Sequence, residues 1–411
     1  MLVTARYTPI GVSRRNGILL PEHADIAGEV EFHRERLPPP AALEHEWRTL
    51  AAFAPPSFFT SWHWIGTLLA ALPQTQRPSL LRGVAGGRTV ALALLGASVS
   101  RRRNGLVRSR ALYLNETGDP YFDALTIEHN GILAAAGREA AVFDAALTWF
   151  AGLREEADEL HFSGSLLRPP EEAVEGRGLG RIETAVPSYS VDLRRLSATG
   201  ELDPTLSANA RQQLRRAFRQ FERAGPLQLT EATTASEALD FFAELKMLHC
   251  ASWERRGRAH AFTHAFFEPF HRLLIERSFA EDSVQLLKAC VGERAVGYLY
   301  NFRLGTRVYA YQSGFADADR RERPGIVTHA LAIRHAFRSG AGVYDLMAGR
   351  NRLKESLATR CEPMWWQTFQ QPRLAFRLEH LGRRLKHALG PQKPLPAAPQ
   401  KDREIDRPAG G

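Results

Sequence analysis

Between Val284 and Phe315 the chain holds three short runs rich in β-branched and aromatic residues. They are Val284–Val291, Ala295–Leu304 and Arg307–Phe315, separated only by Gly292-Glu293-Arg294 and Gly305-Thr306. Runs of this length joined by glycine-containing turns read as an antiparallel meander. A charged loop follows, Asp319-Arg320-Arg321-Glu322-Arg323, and Pro324-Gly325 then opens a helix expected to reach about Ser339. Proline suits a first helical position, where its missing N–H would have no partner anyway. A strand at Val343–Met347 comes next. That order of elements is specific, and it reads as a mixed α+β unit.

Other elements extend this unit on both sides. A strand at Tyr189–Leu193 precedes a helix whose Ala210, Leu214, Ala217, Phe218 and Phe221 share one face. A strand at Leu227–Thr230 and helices at Ala235–Arg255 and Thr263–Phe279 lead into the meander, and Met364–Gln370 is a strand beyond it. The first half of the chain is mixed as well. It has helices from Ala41 and over Ser61–Leu72, strands at Leu80–Val84 and Thr89–Leu95 around Gly86-Gly87, a strand at Val107–Leu114, a helix at Ala136–Phe150 and a strand at Glu159–Ser163. The expected division is a loosely attached arm over 1–40, ending in three prolines, a first mixed domain over 41–185 and a second over 186–372. A basic amphipathic helix over 373–389 and a disordered tail over 390–411, with five prolines in 22 residues, complete it.

Composition narrows the function classes. With 411 residues, 44% apolar and 24% charged, the chain has the make-up of a soluble globular protein. No apolar run approaches the roughly 20 residues that span a bilayer, and no secretory leader is recognised, so a cytoplasmic location is expected. The three cysteines, Cys250, Cys290 and Cys361, are far apart and form neither a disulfide framework nor a metal-ligand pattern. No G-x-S-x-G, H-E-x-x-H or Walker loop occurs, which argues against triad hydrolases, zinc peptidases and nucleoside triphosphatases. The net charge of +9 is concentrated in segments 101–110, 207–223 and 373–389, while the remainder is slightly acidic. Localised positive charge points to an anionic partner or to a solvated basic face.

The order of elements in the second unit resembles the GNAT acyltransferase fold, and its local words resemble the CelD-like and Fem-like branch of bacterial envelope and exopolysaccharide biosynthesis. The matching words are Ala295-Val296-Gly297-Tyr298-Leu299-Tyr300, Tyr309-Ala310-Tyr311-Gln312-Ser313-Gly314, Arg323-Pro324-Gly325, Tyr344-Asp345-Leu346-Met347-Ala348-Gly349 and Leu353-Lys354. They cover about 186–370. Trp47, Phe58, Trp62 and Asn115-Glu116-Thr117-Gly118-Asp119 resemble the family's N-terminal part more weakly. The resemblance implies an α+β fold of two tandem GNAT-like domains, with mixed, mostly antiparallel sheets flanked by helices.

It also implies a site. In the GNAT family the loop before the helix at Pro324 grips a cofactor pyrophosphate, which assigns Arg320, Arg321, Arg323, Gly325 and Ile326 to binding acetyl-CoA as acyl donor. A helix start with free amides is a ready anion site in any case. The family's active-site lysine falls on Lys354, with Asp345 as its orienting partner, a base, or only a turn cap. Tyr311 is the acid for a departing thiolate, a group that positions the acceptor, or a core residue with a satisfied hydroxyl. Amides near Gln312–Gly314 would face the thioester carbonyl if the strand bulges there. His249 and Trp253, four apart on one helical face, and Arg256 either line an acceptor pocket or pack structurally. No metal is expected. Arg211, Arg215, Arg219 and Arg223 form a stripe that faces either an anionic acceptor or solvent.

The leading expectation is a two-domain acyltransferase acting on an amine or hydroxyl of a sugar-nucleotide or polysaccharide precursor, with the last helix offering peripheral contact to the inner membrane. The resemblance keeps two others open. One is a Fem-like aminoacyl-tRNA-dependent transferase, less favoured because no coiled-coil insertion is read, so nucleic acid is not the expected partner. The other is a non-catalytic accessory subunit of a polysaccharide synthase.

Overall fold

The computed structural model describes residues 28–102, 107–316 and 322–379. The first half runs β1 (Glu31–Glu35), α1 (Pro40–Ala51), α2 (Trp62–Ala71), β2 (Ser79–Ala85), β3 (Arg88–Arg102), β4 (Val107–Leu114), β5 (Leu133–Ala134), α3 (Glu139–Gly152), β6 (Glu159–Ser165), α4 (Glu171–Glu175) and β7 (Gly180–Asp192). The second runs α5 (Ala208–Glu222), β8 (Leu227–Glu231), α6 (Ala235–Glu254), α7 (Phe267–Ser278), β9 (Val284–Val291), β10 (Arg294–Leu304), β11 (Arg307–Phe315), α8 (Pro324–Arg338), β12 (Val343–Ala348), α9 (Arg352–Leu357) and β13 (Arg360–Gln370).

The two halves repeat one plan. In each, a strand, two helices and a three-strand meander lead through a helix to a strand that pairs in parallel with the meander's third strand. The parallel pairing is short in both. It spans Ala111–Tyr113 against Glu159–His161 in the first half and Arg307–Tyr309 against Val343–Asp345 in the second. The N-terminal "arm" needs correction. Glu31–Glu35 is an edge strand antiparallel to β2, with Phe32 buried as its inward residue. One inward apolar side chain in five residues left no alternation to read.

All strands join in one sheet, ordered β1-β2-β3-β4-β6-β13-β7-β12-β11-β10-β9-β8, with β5 beside β3. The last strand of each half crosses over. β7 pairs with β12, whereas β13 inserts between β6 and β7, pairing with β7 over Arg360–Gln370. On one face α1, α2, α6 and α7 share a core in which Phe58 stacks on Phe302 at 4.1 Å and Trp64 meets Phe270 edge-on at 4.9 Å. Each such buried ring contributes roughly 1.5–3 kcal/mol. On the other face α5 and α8 cover the second half, and α3 covers the first. At Gly314 α6 presses so closely on β11 that a Cβ there would lie 2.3 Å from the Leu245 carbonyl oxygen.

Residues 374–379 begin the last helix with Phe376 buried, while Leu374 and Leu378 of its apolar stripe are 74% and 62% exposed. The remainder of 373–389 and the tail 390–411 lie outside the described residues, and no described helix is long and apolar enough to cross a membrane.

Candidate active site

The site is built where β11 and β12 part. After Tyr309/Asp345 no further pairs join them, although β11 continues to Phe315 and β12 to Ala348. Both strands are irregular here. β11 bulges at Tyr311, where its pairing with β10 jumps from Tyr300↔Gln312 to Asn301↔Ala310. The expected bulge thus lies one residue before 312–314. β12 shifts register against β7 between Asp345 and Met347, and Met347 has φ +68°, a left-handed conformation that non-glycine residues take at a cost.

The start of α8 stands beside this opening. Its N-cap, Arg323, has φ +53°, Pro324 follows at the first helical position, and no side chain caps the amides. Ile326 N–H turns back to the Arg323 carbonyl at 3.2 Å. Gly325 lets two side chains close over the helix start, since a Cβ would meet Leu353 Cδ1 at 2.9 Å and Phe315 Cε2 at 3.2 Å. That contact seats α8 directly against α9, which carries Lys354. The Arg323 guanidinium donates to Gln213 Oε1 on α5. Arg320 and Arg321 lie outside the described residues.

Lys354 is buried, at 7% exposure. Asn351 caps α9 by accepting the Lys354 amide at 2.8 Å, and the Lys354 Nζ donates to the Ala348 carbonyl at 2.5 Å and the Met347 carbonyl at 3.4 Å. The irregular end of β12 therefore turns carbonyls toward an ammonium. His329 of α8 lies close by, its Nδ1 3.2 Å from the Tyr344 hydroxyl. Burial, and then the Lys354 charge, hold its pKa down at about 3, so the imidazole is neutral.

Asp345 is spoken for. Arg307 donates to it at 2.7 Å, His129 Nε2 lies 3.1 Å away, and the Met347 amide donates at 2.8 Å. Burial alone would raise its pKa, but the His129 imidazole, Arg307 and the amide outweigh it and hold it at about 2. A carboxylate so strongly ionised is a poor proton acceptor at neutral pH. Tyr311 also needs correction. Its ring is fully buried among Phe302, His271 and Phe267, and its hydroxyl donates to the Leu125 carbonyl. Burial pushes its pKa far up. It is a core residue, because the aromatic face it joins is completed by the other half of the molecule.

The first half reaches into the site through the loop after β4. Glu128, 2% exposed, accepts the Ala348 amide at 2.7 Å through Oε2, and His129 supplies the contact to Asp345. Thr126 and His129, with φ of 55° and 51°, bend the loop into this path, and Ser57 Oγ fixes the His129 carbonyl at 2.7 Å. The same loop fills the first half's own β4/β6 opening. Asn130 N–H bonds the Gly164 carbonyl at 3.0 Å, and the absent Cβ of Gly164 would lie 2.7 Å from the Ile127 carbonyl oxygen. Glu128, His129 and His329 were not singled out from sequence. The contacts of Glu128 and His129 span more than 200 residues, and no local pattern marks them.

His249, Trp253 and Arg256 do come together. The His249 ring lies 5.7 Å from that of Trp253, and the Arg256 guanidinium sits 5.7 Å over the indole. His249 Nδ1 is 2.9 Å from the Ser313 carbonyl oxygen, which can only accept, so Nδ1 carries the proton. The cluster is thereby tied to β11 just past its bulge.

The sequence profile of the GNAT acetyltransferase domain matches residues 208–355. Comparison with curated protein sequences returned no match. Among solved structures, FemX is similar over 85% of this chain and 99% of its own, at TM-score 0.53 and 10% identity. The C-terminal domain of a protein described as a lysylphosphatidylglycerol synthetase from Agrobacterium fabrum is similar over 85% and 97%, at TM-score 0.50 and 11% identity. At such identities the likeness is one of fold. The chain thus carries a GNAT acetyltransferase-type domain over 208–355 within an α+β fold of two tandem GNAT-like halves.

Proposed function

We propose that the protein is an acyltransferase of the CelD-like and Fem-like kind, moving an acetyl or related acyl group from the thioester of CoA to an amine or hydroxyl of an envelope or exopolysaccharide precursor. One juxtaposition carries the reading: β11 and β12 part after three residue pairs beside a helix start that no side chain caps, and α9, which packs Leu353 on that start, carries the buried Lys354. The uncapped start of α8, where only Ile326 N–H turns back to the Arg323 carbonyl, suits a pyrophosphate together with Arg323 and the preceding loop arginines Arg320 and Arg321. The acceptor atom attacks the thioester carbonyl carbon, the C–S bond breaks, and the proton lost by the acceptor passes to the departing thiolate. Lys354 contributes positive charge as the carbonyl oxygen becomes negative, and positioning supplies much of the remaining acceleration. The His249–Trp253–Arg256 cluster is the proposed acceptor wall. Leu374 and Leu378, exposed beside basic residues, support a peripheral membrane contact for the last helix.

An aminoacyl-tRNA donor is less well supported. The longest described helix is α6, with 20 residues, and no paired helical arm occurs among the described residues. Calorimetric titration with acetyl-CoA tests the main reading. One-site binding accompanied by a thermal shift is expected, and silence at millimolar ligand removes the proposal. Lys354→Met should bind acetyl-CoA within a few-fold of wild type while losing about 10²–10³ in turnover. A variant that fully complements a deletion strain would favour the accessory-subunit reading instead.

A further inference from the structure

Apart from the cleft, the arginine stripe of α5 lines a groove of about 600 Å³ between α5 and α8. Arg211, Arg215 and Arg219 form one wall, Arg334 of α8 the other, and Leu214 and Phe218 contribute apolar lining. Arg334 is held in place. Its Nη2 bonds Glu201 at 2.6 Å, and its guanidinium lies 4.9 Å over the Phe218 ring. Its Nε is buried without a hydrogen-bond partner. A guanidinium fixed by one carboxylate and one ring presents its remaining donors in set directions.

Charge points the same way. Like charges four residues apart on a helix cost stability, and α5 carries Arg211, Arg215, Arg216 and Arg219 with Glu222 as its only acid. The groove is lined by four arginines against Glu201 and Glu222, and Glu201 already serves Arg334. On a convex surface such an excess is solvated. Here the donors converge from two helices over an apolar floor, in a volume within the roughly 300–1,000 Å³ of small-molecule sites.

We propose that this groove binds a small molecule carrying a diphosphate or two phosphate groups. RNA backbones and membranes track continuous positive surface, whereas Glu201 and Glu222 interrupt the lining here, which suits a compact anion. Arg334 stands ten residues past Pro324, about 15 Å along the helix. The Arg334 end of the groove is therefore remote from the start of α8, although Arg323 reaches α5 at Gln213, and the inference holds whether or not the cleft takes acyl-CoA.

Inorganic pyrophosphate is the probe, titrated by calorimetry and by thermal shift into the full chain carrying Arg323→Glu, so that the pyrophosphate contact proposed at the start of α8 does not contribute. Saturable one-site binding that weakens with salt is expected. The double variant Arg215→Glu/Arg219→Glu should lose tenfold or more of that affinity and keep its response to acetyl-CoA, and Arg323→Glu should do the reverse. Arg334→Met is the second variant if the double one fails to fold. ADP and glucose 1-phosphate as further ligands separate a nucleotide from a sugar phosphate as the source of the anion. No pyrophosphate binding at millimolar concentration overturns the proposal, and so does binding that survives in both groove variants. A short RNA duplex that binds where pyrophosphate does not would also overturn it, and would make the stripe a nucleic-acid surface.

Discussion

Asp345 stands between Arg307 and His129, and its loss would leave those groups facing each other without a counter-charge. Arg307 keeps 36% of its side chain exposed and can turn to water, so the loss is that of a buried acceptor's hydrogen bonds, about 1–3 kcal/mol. Asp345→Asn should therefore destabilise measurably at pH 7, as read by urea unfolding. The carboxylate's folded pKa is depressed to about 2, so its contribution is complete above the unfolded value of about 3.9. The gap between wild type and variant should close as pH falls from about 4 toward 2. Glu116 behaves in the opposite sense. Burial, then the nearby Asp123 charge, raise it to about 8, despite Ser163 donating to it at 2.6 Å. The folded state keeps a proton that the unfolded chain has released, so stability should fall as pH rises from about 5 to 8. Glu116→Gln should remove that slope in thermal unfolding run across the range, and an unchanged slope would place the titration elsewhere. Lys354 could be singled out from sequence because Leu353-Lys354 belongs to a recognisable word, and the structure adds its burial. Tyr311 was not, since alternation along a strand says which residues share a face but not what covers that face.

Among elements, the meander and α8 were legible because turn glycines and Pro324-Gly325 punctuate them locally. β7 was legible only in its last third. Its first part, Gly180–Ser188, mixes apolar and polar residues with no alternating buried face, and it finds its partner in β13, far along the chain. The packing of α6 on β11 leaves a sharper signature. A methyl group at Gly314 would lie 2.3 Å from the Leu245 backbone oxygen, and backbone cannot swing aside as a side chain can. Gly314→Ala should cost about 1–3 kcal/mol in chemical denaturation. Because β11 borders the cleft, the variant should also weaken acetyl-CoA binding. A neutral Gly314→Ala would mean that α6 is free to shift.

At the scale of the molecule, two halves were legible and their interlock was not, because an exchange of final strands leaves no mark in either half's local pattern. A cut at 185/186 severs β7 between Ala185 and Val186, within its pairing to β13. Even a cut in the turn at Ser197–Gly200, which keeps β7 whole, leaves β6 without β13 and β12 without β7 once the parts are separated. Each fragment would expose a long unpaired strand and half of the aromatic core around Phe58 and Phe302, the combination that drives aggregation. Fragments 1–198 and 199–411 are therefore expected to be insoluble when expressed singly and to co-purify as a folded pair when expressed together. The pair should regain acetyl-CoA binding, because Glu128 and His129 must return to Ala348 and Asp345 for the end of β12 to take its shape. A soluble 199–411 fragment that binds acetyl-CoA alone would show that the first half is dispensable, and the site would then have to be described without it.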